Sequence, residues 1–117
     1  MGANDESLER RRHTRVDVAL KISFNSIENM ENMIMGSALN LSRSGMFIRT
    51  GKVIREGDRV EIELPVSGER FERVQGTVRH ARHKGGHPYG LGIEFDKLEG
   101  PALKTIEDLL SRTGRPP

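Results

Sequence analysis

The feature that most constrains the fold is a run of alternating apolar and polar residues near the start of the chain. Apolar side chains occupy every second position from Val16 to Phe24, which is the period of a strand with one buried face. Similar segments follow, separated by turn residues, and the sequence predicts strands near 16–24, 33–41, 46–50, 60–64, 71–82 and 89–95. Six short strands at close spacing predict an all-β domain, either an antiparallel barrel or a sandwich.

The last segment of the chain has a different period. Beyond Pro101, a residue suited to the first turn of a helix, apolar residues recur at helical spacing. We predict one α-helix over residues 101–112, with an apolar stripe formed by Leu103, Ile106, Leu109 and Leu110. A helix this short is marginal alone, so packing on the sheet is favoured over binding to a partner. The glycine and prolines that follow leave 114–117 as a tail.

The composition limits the classes of function. A chain of 117 residues fits one domain with a single modest core. The absence of cysteine excludes disulfides, thiolate zinc sites and cysteine nucleophiles. No apolar run approaches the length of a membrane span, and no signal-peptide pattern is present. We therefore expect a cytoplasmic protein with no membrane span.

The sequence carries no motif typical of an enzyme. There is no G-x-S-x-G, no P-loop and no paired-carboxylate motif. His80, His83 and His87 have the only metal-like spacing, but they span a strand end and a glycine-rich loop and have no acidic ligand beside them. Ordinary exposed histidines explain them better than a zinc site, which needs fixed geometry. We expect a protein that is not an enzyme, with no catalytic residue, no metal and no cofactor.

Arginine is concentrated in one short stretch before the first strand. Residues 1–15 are polar without an apolar period and are predicted to form a flexible arm, attached to a domain at 16–113. The chain has 19 Lys and Arg against 17 Asp and Glu, so its positive charge is local. The arm carries Arg10, Arg11, Arg12 and Arg15 and no lysine. Guanidinium groups grip phosphates or guanine edges bidentately, although a merely solvated basic arm is the alternative.

Two further patterns are candidates for binding. Asn40-x-Ser42-x-x-Gly45 is a turn whose polar side chains can bond the local backbone, with Gly45 at positive φ. That account is structurally complete, yet the same turn would also suit a polar, planar ligand. Gly90 and Gly92 lie two apart on one strand face, where glycine marks close approach by backbone or ligand. Barrel curvature explains this pair equally well.

Taken together, these patterns resemble the PilZ domain. The resemblance rests on Arg11-Arg12-x-x-Arg15, on Asn40-x-Ser42-x-x-Gly45 and on the segment Tyr89–Phe95, and it covers roughly residues 9–112. It implies a six-stranded antiparallel β-barrel with one C-terminal helix, in a single-domain protein. Many members of this family are bacterial receptors for the second messenger cyclic di-GMP, so the resemblance also implies that ligand.

The resemblance implies roles for individual residues. The motif arginines would grip phosphates and guanine Hoogsteen edges, and Arg10 would add a phosphate contact. Asn40 stands where the family has aspartate or asparagine and would bond a guanine edge, without the charge assistance that an aspartate would give. Ser42 would bond a phosphate or a guanine amino group, and Gly45 would hold the turn. The predicted ligand site comprises Arg10, Arg11, Arg12, Arg15, Asn40, Ser42, Gly45 and Gly92.

The function that follows is a cyclic di-GMP receptor that changes the conformation of its arm and signals to a protein partner. The ligand would bind as one molecule or as a stacked pair. The alternative is a PilZ-like interaction adaptor that does not bind cyclic di-GMP. A binder of nucleic acid polymers is disfavoured, because the formal net charge is only +2 and aromatic residues make up 4% of the chain.

Overall fold

The computed structural model describes residues 16–66 and 70–113. These described residues form six strands, one α-helix and one short 3-10 helix at Ile27–Asn32. The α-helix, α1, spans Gly100–Thr113. The strands are β1 (Val16–Ser26), β2 (Ile34–Leu41), β3 (Gly45–Arg49), β4 (Arg59–Pro65), β5 (Phe71–Lys84) and β6 (His87–Phe95). The predicted arm and tail lie outside the described residues.

The strands close into one barrel, in the order β1-β2-β3-β6-β5-β4. Every neighbouring pair is antiparallel. The prediction of a six-stranded antiparallel barrel is confirmed, and the sandwich is ruled out. Closure leaves no free sheet edge. It also brings β3 beside β6, which lies about forty residues later, from Gly45 opposite Glu94 to Arg49 opposite Gly90.

The core lies inside the barrel and is built by the alternation seen in the sequence. On β1, Ile22 and Phe24 are fully buried, and on β6 the alternating residues Leu91, Ile93 and Phe95 face inward. Helix α1 packs against β1 and β5 and adds Ile106 and Leu109 to the core. The predicted helix is confirmed to within one residue at each end. No helix in 16–66 or 70–113 is both long and apolar enough to cross a membrane.

The segment after β1 is more ordered than the sequence suggested. The polar residues 25–32 are predicted to form a turn, but they complete β1 and form the 3-10 helix. The buried side chain of Asn25 explains this order. Its amide nitrogen donates to the carbonyls of Asn29 (3.1 Å) and Asn32 (2.6 Å), and its oxygen accepts from the backbone N–H of Ser26 (2.8 Å).

The loop predicted between the last two strands is a two-residue hairpin. Lys84 pairs with His87, and Gly85 and Gly86 between them have φ of 59° and 80°. Positive φ at both central residues is what a type I′ hairpin requires, and glycine adopts it without strain. Strand β5 therefore continues two residues past its predicted end.

An exposed ion pair lies directly after the C-terminal end of β6. The Arg59 guanidinium donates to both carboxylate oxygens of Asp96, at 2.6 and 2.5 Å. This hydrogen-bonded pairing lowers the pKa of Asp96 below its ordinary value. The chain after β6 is thereby tied to the first residue of β4.

Candidate functional site

The turn between β2 and β3 is fixed by its own serine. The Ser42 backbone N–H donates to the Gly45 carbonyl at 2.9 Å. The Ser42 hydroxyl accepts from the backbone N–H groups of Ser44 (3.1 Å) and Gly45 (3.2 Å), and lies 3.0 Å from the Ser44 hydroxyl. Ser42 is only 2% exposed. In this arrangement Ser42 sets the shape of the turn that any ligand would meet.

Gly45 is needed for a different reason from the one predicted. The prediction of positive φ is wrong, because the described glycines with positive φ are Gly57, Gly85, Gly86 and Gly100. The constraint is instead the closeness of β6. A Cβ at Gly45 would lie 2.0 Å from the Ile93 carbonyl oxygen and 3.3 Å from the Glu94 Cα. The turn is thus pressed directly against the backbone of β6.

The barrel aligns several outward-facing positions in one row across four strands. Asn40 of β2 is opposite Phe47 of β3, Phe47 is opposite Gly92 of β6, and Gly92 is opposite His80 of β5. We call these four residues the outer row. Strands lie about 4.8 Å apart, so Asn40 and Gly92 are separated by about 10 Å. The register therefore brings two of the predicted ligand residues onto one surface.

The two glycines of β6 have different surroundings. A Cβ at Gly90 would lie 2.0 Å from the Phe47 ring, which crosses the bare strand there. A Cβ at Gly92 would have His80 as its nearest neighbour, at 3.4 Å, which is an ordinary van der Waals distance. Ring packing requires glycine at 90, whereas packing does not require it at 92.

Two exposed arginines flank the outer row. Arg49 of β3 and Arg82 of β5 are both opposite Gly90. Neither guanidinium makes a hydrogen bond or ion pair with another residue of 16–66 or 70–113. Both charges are thus available to an anion on this face. Sequence reasoning missed these arginines, Phe47 and His80, because only the register of β3, β6 and β5 brings them beside Asn40.

The turn is also connected to α1. Arg43, which follows Ser42, forms an ion pair with Glu107 of the helix at 3.1 Å. The side chains are 59% and 42% exposed, so the pair is a surface ion pair of modest strength. Besides the packing of its apolar stripe, α1 is therefore tied by a charge to the turn.

The family profile of the PilZ domain matches residues 9–112. The chain belongs to the PilZ domain family. The match includes the four arginines of the arm, the Asn40–Gly45 turn and all of β6. No match was found among curated protein sequences.

Solved PilZ structures share the barrel. The PilZ domain of YcgR from Escherichia coli, solved with c-di-GMP, has a TM-score of 0.70 and 15% identity, covering 89% of this chain and 91% of that one. The inhibitor of motility MotI (DgrA) from Bacillus subtilis has a TM-score of 0.66 and 15% identity, covering 88% and 51%. PlzA from Borreliella burgdorferi, in complex with c-di-GMP, has a TM-score of 0.54 and 8% identity, covering 100% and 60%. The chain thus spans about half the length of MotI, and at these identities the likeness concerns the fold.

The remaining predicted positions of this PilZ domain fall into two groups. Arg10, Arg11, Arg12 and Arg15 lie outside the described residues. His80, His83 and His87 lie on β5 and β6 and are exposed. Within the described parts of the chain, no group of three or more histidine, aspartate or glutamate side chains is arranged to hold a metal ion.

Proposed function

We propose that this PilZ domain is a receptor for cyclic di-GMP. The observation that carries the proposal is the register of β1. Val16, the residue after Arg15, is opposite Leu41, and Asp17 is opposite Asn40. The chain that carries the four arginines therefore enters the barrel beside the Asn40–Gly45 turn. In the proposed arrangement, the two halves of the ligand motif, which are 25 residues apart in sequence, come together at one end of β2.

Each half supplies a different chemistry for the ligand. Arg11, Arg12 and Arg15, assisted by Arg10, grip phosphate oxygens and the O6/N7 edge of guanine through bidentate guanidinium contacts. Asn40 offers an amide to a guanine edge. The c-di-GMP present in the YcgR and PlzA structures supports the choice of ligand. The site takes either one molecule or a stacked pair.

The other predicted residues provide the surface on which the ligand lies. Ser42 and Gly45 keep the turn close to β6, and Gly92 leaves the strand face open in the outer row. Ser42 contributes first through the shape of the turn, since its hydroxyl is already bonded to two backbone N–H groups. Arg49 and Arg82 add positive charge where a dianionic ligand would lie.

The function is binding and signalling and involves no catalysis. Without ligand, the arm has no apolar face whose burial would offset the entropy of ordering it, and its arginines repel one another. A bound dianion gives the guanidiniums fixed partners and brings the arm onto the strands. The new surface formed by arm and ligand is then read by a protein partner.

Direct titration tests the ligand. Isothermal calorimetry with cyclic di-GMP should give a Kd in the micromolar range or below, because several charge-assisted hydrogen bonds form at once. GTP and cyclic di-AMP serve as controls and should bind much more weakly. If a millimolar excess of cyclic di-GMP gave neither heat nor NMR shift changes, the interaction adaptor would be the better description.

Limited trypsin digestion tests the arm. Cleavage after Arg10 to Arg15 should be fast in the free protein and should slow markedly with saturating cyclic di-GMP, because ordering removes the extended conformation that proteases need. Cleavage at Arg112 and Arg115, beyond the proposed site, is the internal control and should change little. Equal cleavage of the arm in both states would refute the arm movement while leaving ligand binding to the titration.

A further inference from the structure

We propose that the His80 imidazole is a stacking platform for one guanine base of cyclic di-GMP. The stacked base lies over Gly92. This inference rests on the proposed function and adds a contact that neither half of the arginine and Asn40–Gly45 motif contains. It is carried by the unexplained glycine at 92, by the bulge that positions His80 and by the exposure of the imidazole.

Gly92 has no structural reason to be glycine. Its φ is not positive, and the three atoms nearest to an added methyl group would be side-chain atoms of His80 at 3.4 to 3.8 Å. Gly90, two residues earlier, would bring a Cβ into the Phe47 ring at 2.0 Å. An alanine would thus fit at 92 but not at 90. Gly92 has no side chain and lies beside His80 in the outer row. A flat group can therefore approach the β6 backbone closely at this position.

A bulge in β5 places His80 in this row. The register with β6 shifts between Val78, opposite Ile93, and His80, opposite Gly92. The extra residue, Arg79, forms an ion pair with Glu94 at 2.5 Å. Bulges re-aim side chains in this way and are frequent near functional sites. Without the bulge, the position opposite Gly92 would be held by Arg79 and not by an aromatic ring.

The His80 ring has no polar partner among the described residues. It is exposed and makes no hydrogen bond or ion pair with any other described residue. The neighbouring Phe47 ring is already packed across Gly90, whereas the imidazole lies beside Gly92 at van der Waals distance. Histidine is one of the aromatic side chains on which unstacked bases pack. Arg49 and Arg82 flank the same face. If a base of cyclic di-GMP stacks there, the phosphates of the ligand would lie near these positive charges.

The structural alternative is that His80 only covers Gly92, as aromatic rings do over glycines in sheets. The two roles predict different outcomes for His80→Ala. If His80 only covers Gly92, His80→Ala should have a lower melting temperature than wild type and the same affinity for cyclic di-GMP. If His80 stacks on the base, His80→Ala should have the melting temperature of wild type and should bind cyclic di-GMP more weakly.

The test compares His80→Ala with His83→Ala by calorimetry with cyclic di-GMP and by thermal melting. His83 is an exposed histidine at the end of the same strand, opposite Pro88. We expect His80→Ala to weaken binding by about fivefold to 150-fold, the range for loss of one base-stacking contact, and His83→Ala to bind as wild type does. His80→Phe keeps a flat ring and should restore most of the affinity. Wild-type affinity in His80→Ala, or no recovery in His80→Phe, would overturn the stacking role. Absence of binding by the wild-type protein would instead refute the receptor function itself.

Discussion

Replacing Arg15 or Arg11 with alanine should abolish measurable binding of cyclic di-GMP while leaving the melting temperature unchanged. Loss of one charge-assisted hydrogen bond costs about 1.5–3 kcal/mol, and a bidentate pair costs more. Affinity should therefore fall by at least about tenfold for a single bond and by far more for a bidentate pair. The fold should be retained because residues 1–15 are polar and have no apolar period, so they offer little apolar surface to a core whose described members run from Ile22 to Leu109.

Arg70→Ala is the matched control for the loss of one positive charge. Arg70 is exposed and lies in the connection between β4 and β5, where its carbonyl accepts from the Val66 N–H. If the arm arginines acted only by raising the net charge, Arg70→Ala and Arg15→Ala would weaken binding equally. Calorimetry of both variants at one salt concentration decides between these cases. Near wild-type affinity in Arg15→Ala would show that its assigned role is wrong.

A methyl group at Gly45 should destabilise the whole barrel. The added carbon of Gly45→Ala would overlap the Ile93 carbonyl oxygen, and the nearby atoms belong to the backbone of β6, which cannot rotate away as a side chain can. Separating β3 from β6 should cost about 3 kcal/mol or more, which for a domain of this size lowers the melting temperature by more than about 12 °C. Gly45→Val should be worse still, and both variants should lose ligand affinity because the turn moves.

Gly51→Ala is the control for Gly45→Ala. Gly51 has no heavy atom within 4 Å of a would-be Cβ, and its φ is not positive. The substitution should be neutral or should stabilise by up to about 1 kcal/mol, because it restricts the unfolded chain. Thermal melting of the two variants separates a local steric effect from a general cost of replacing glycine. Equal melting of Gly45→Ala and wild type would contradict the close approach of β3 and β6.

Local patterns in the sequence were sufficient to predict the strands and the helix. The alternation along β1 and β6 identifies which residues face inward, since a strand has a strict period of two. The spacing of Ile106 and Leu109 likewise predicts the buried side of α1. Such signals depend only on near neighbours, which explains why the choice of a barrel over a sandwich came from the family resemblance and not from periodicity.

Local sequence patterns could bring together only those candidate site residues that lie close to one another along the chain. The Asn40–Gly45 turn is a continuous motif, so its position was predicted correctly, but the reason for Gly45 depends on Ile93 across the barrel. His80 and Arg82 join the same face through the bulge in β5, and a bulge of one residue reverses the alternation beyond it. No pattern within β5 alone indicates which of Arg79 and His80 lies opposite Gly92.

The ion pair between Arg43 and Glu107 makes the turn and the helix share one cation. Any anion that draws Arg43 from Glu107 removes a contact that holds α1, and any protein that lifts α1 leaves Arg43 free to bind an anion beside the turn. Thermodynamic linkage requires that the two effects be equal in size. An exposed pair of this kind is worth about 0.2–1 kcal/mol, so this route alone would change either affinity by at most about fivefold. A partner that lifts α1 would thereby make the turn bind an anion slightly more tightly.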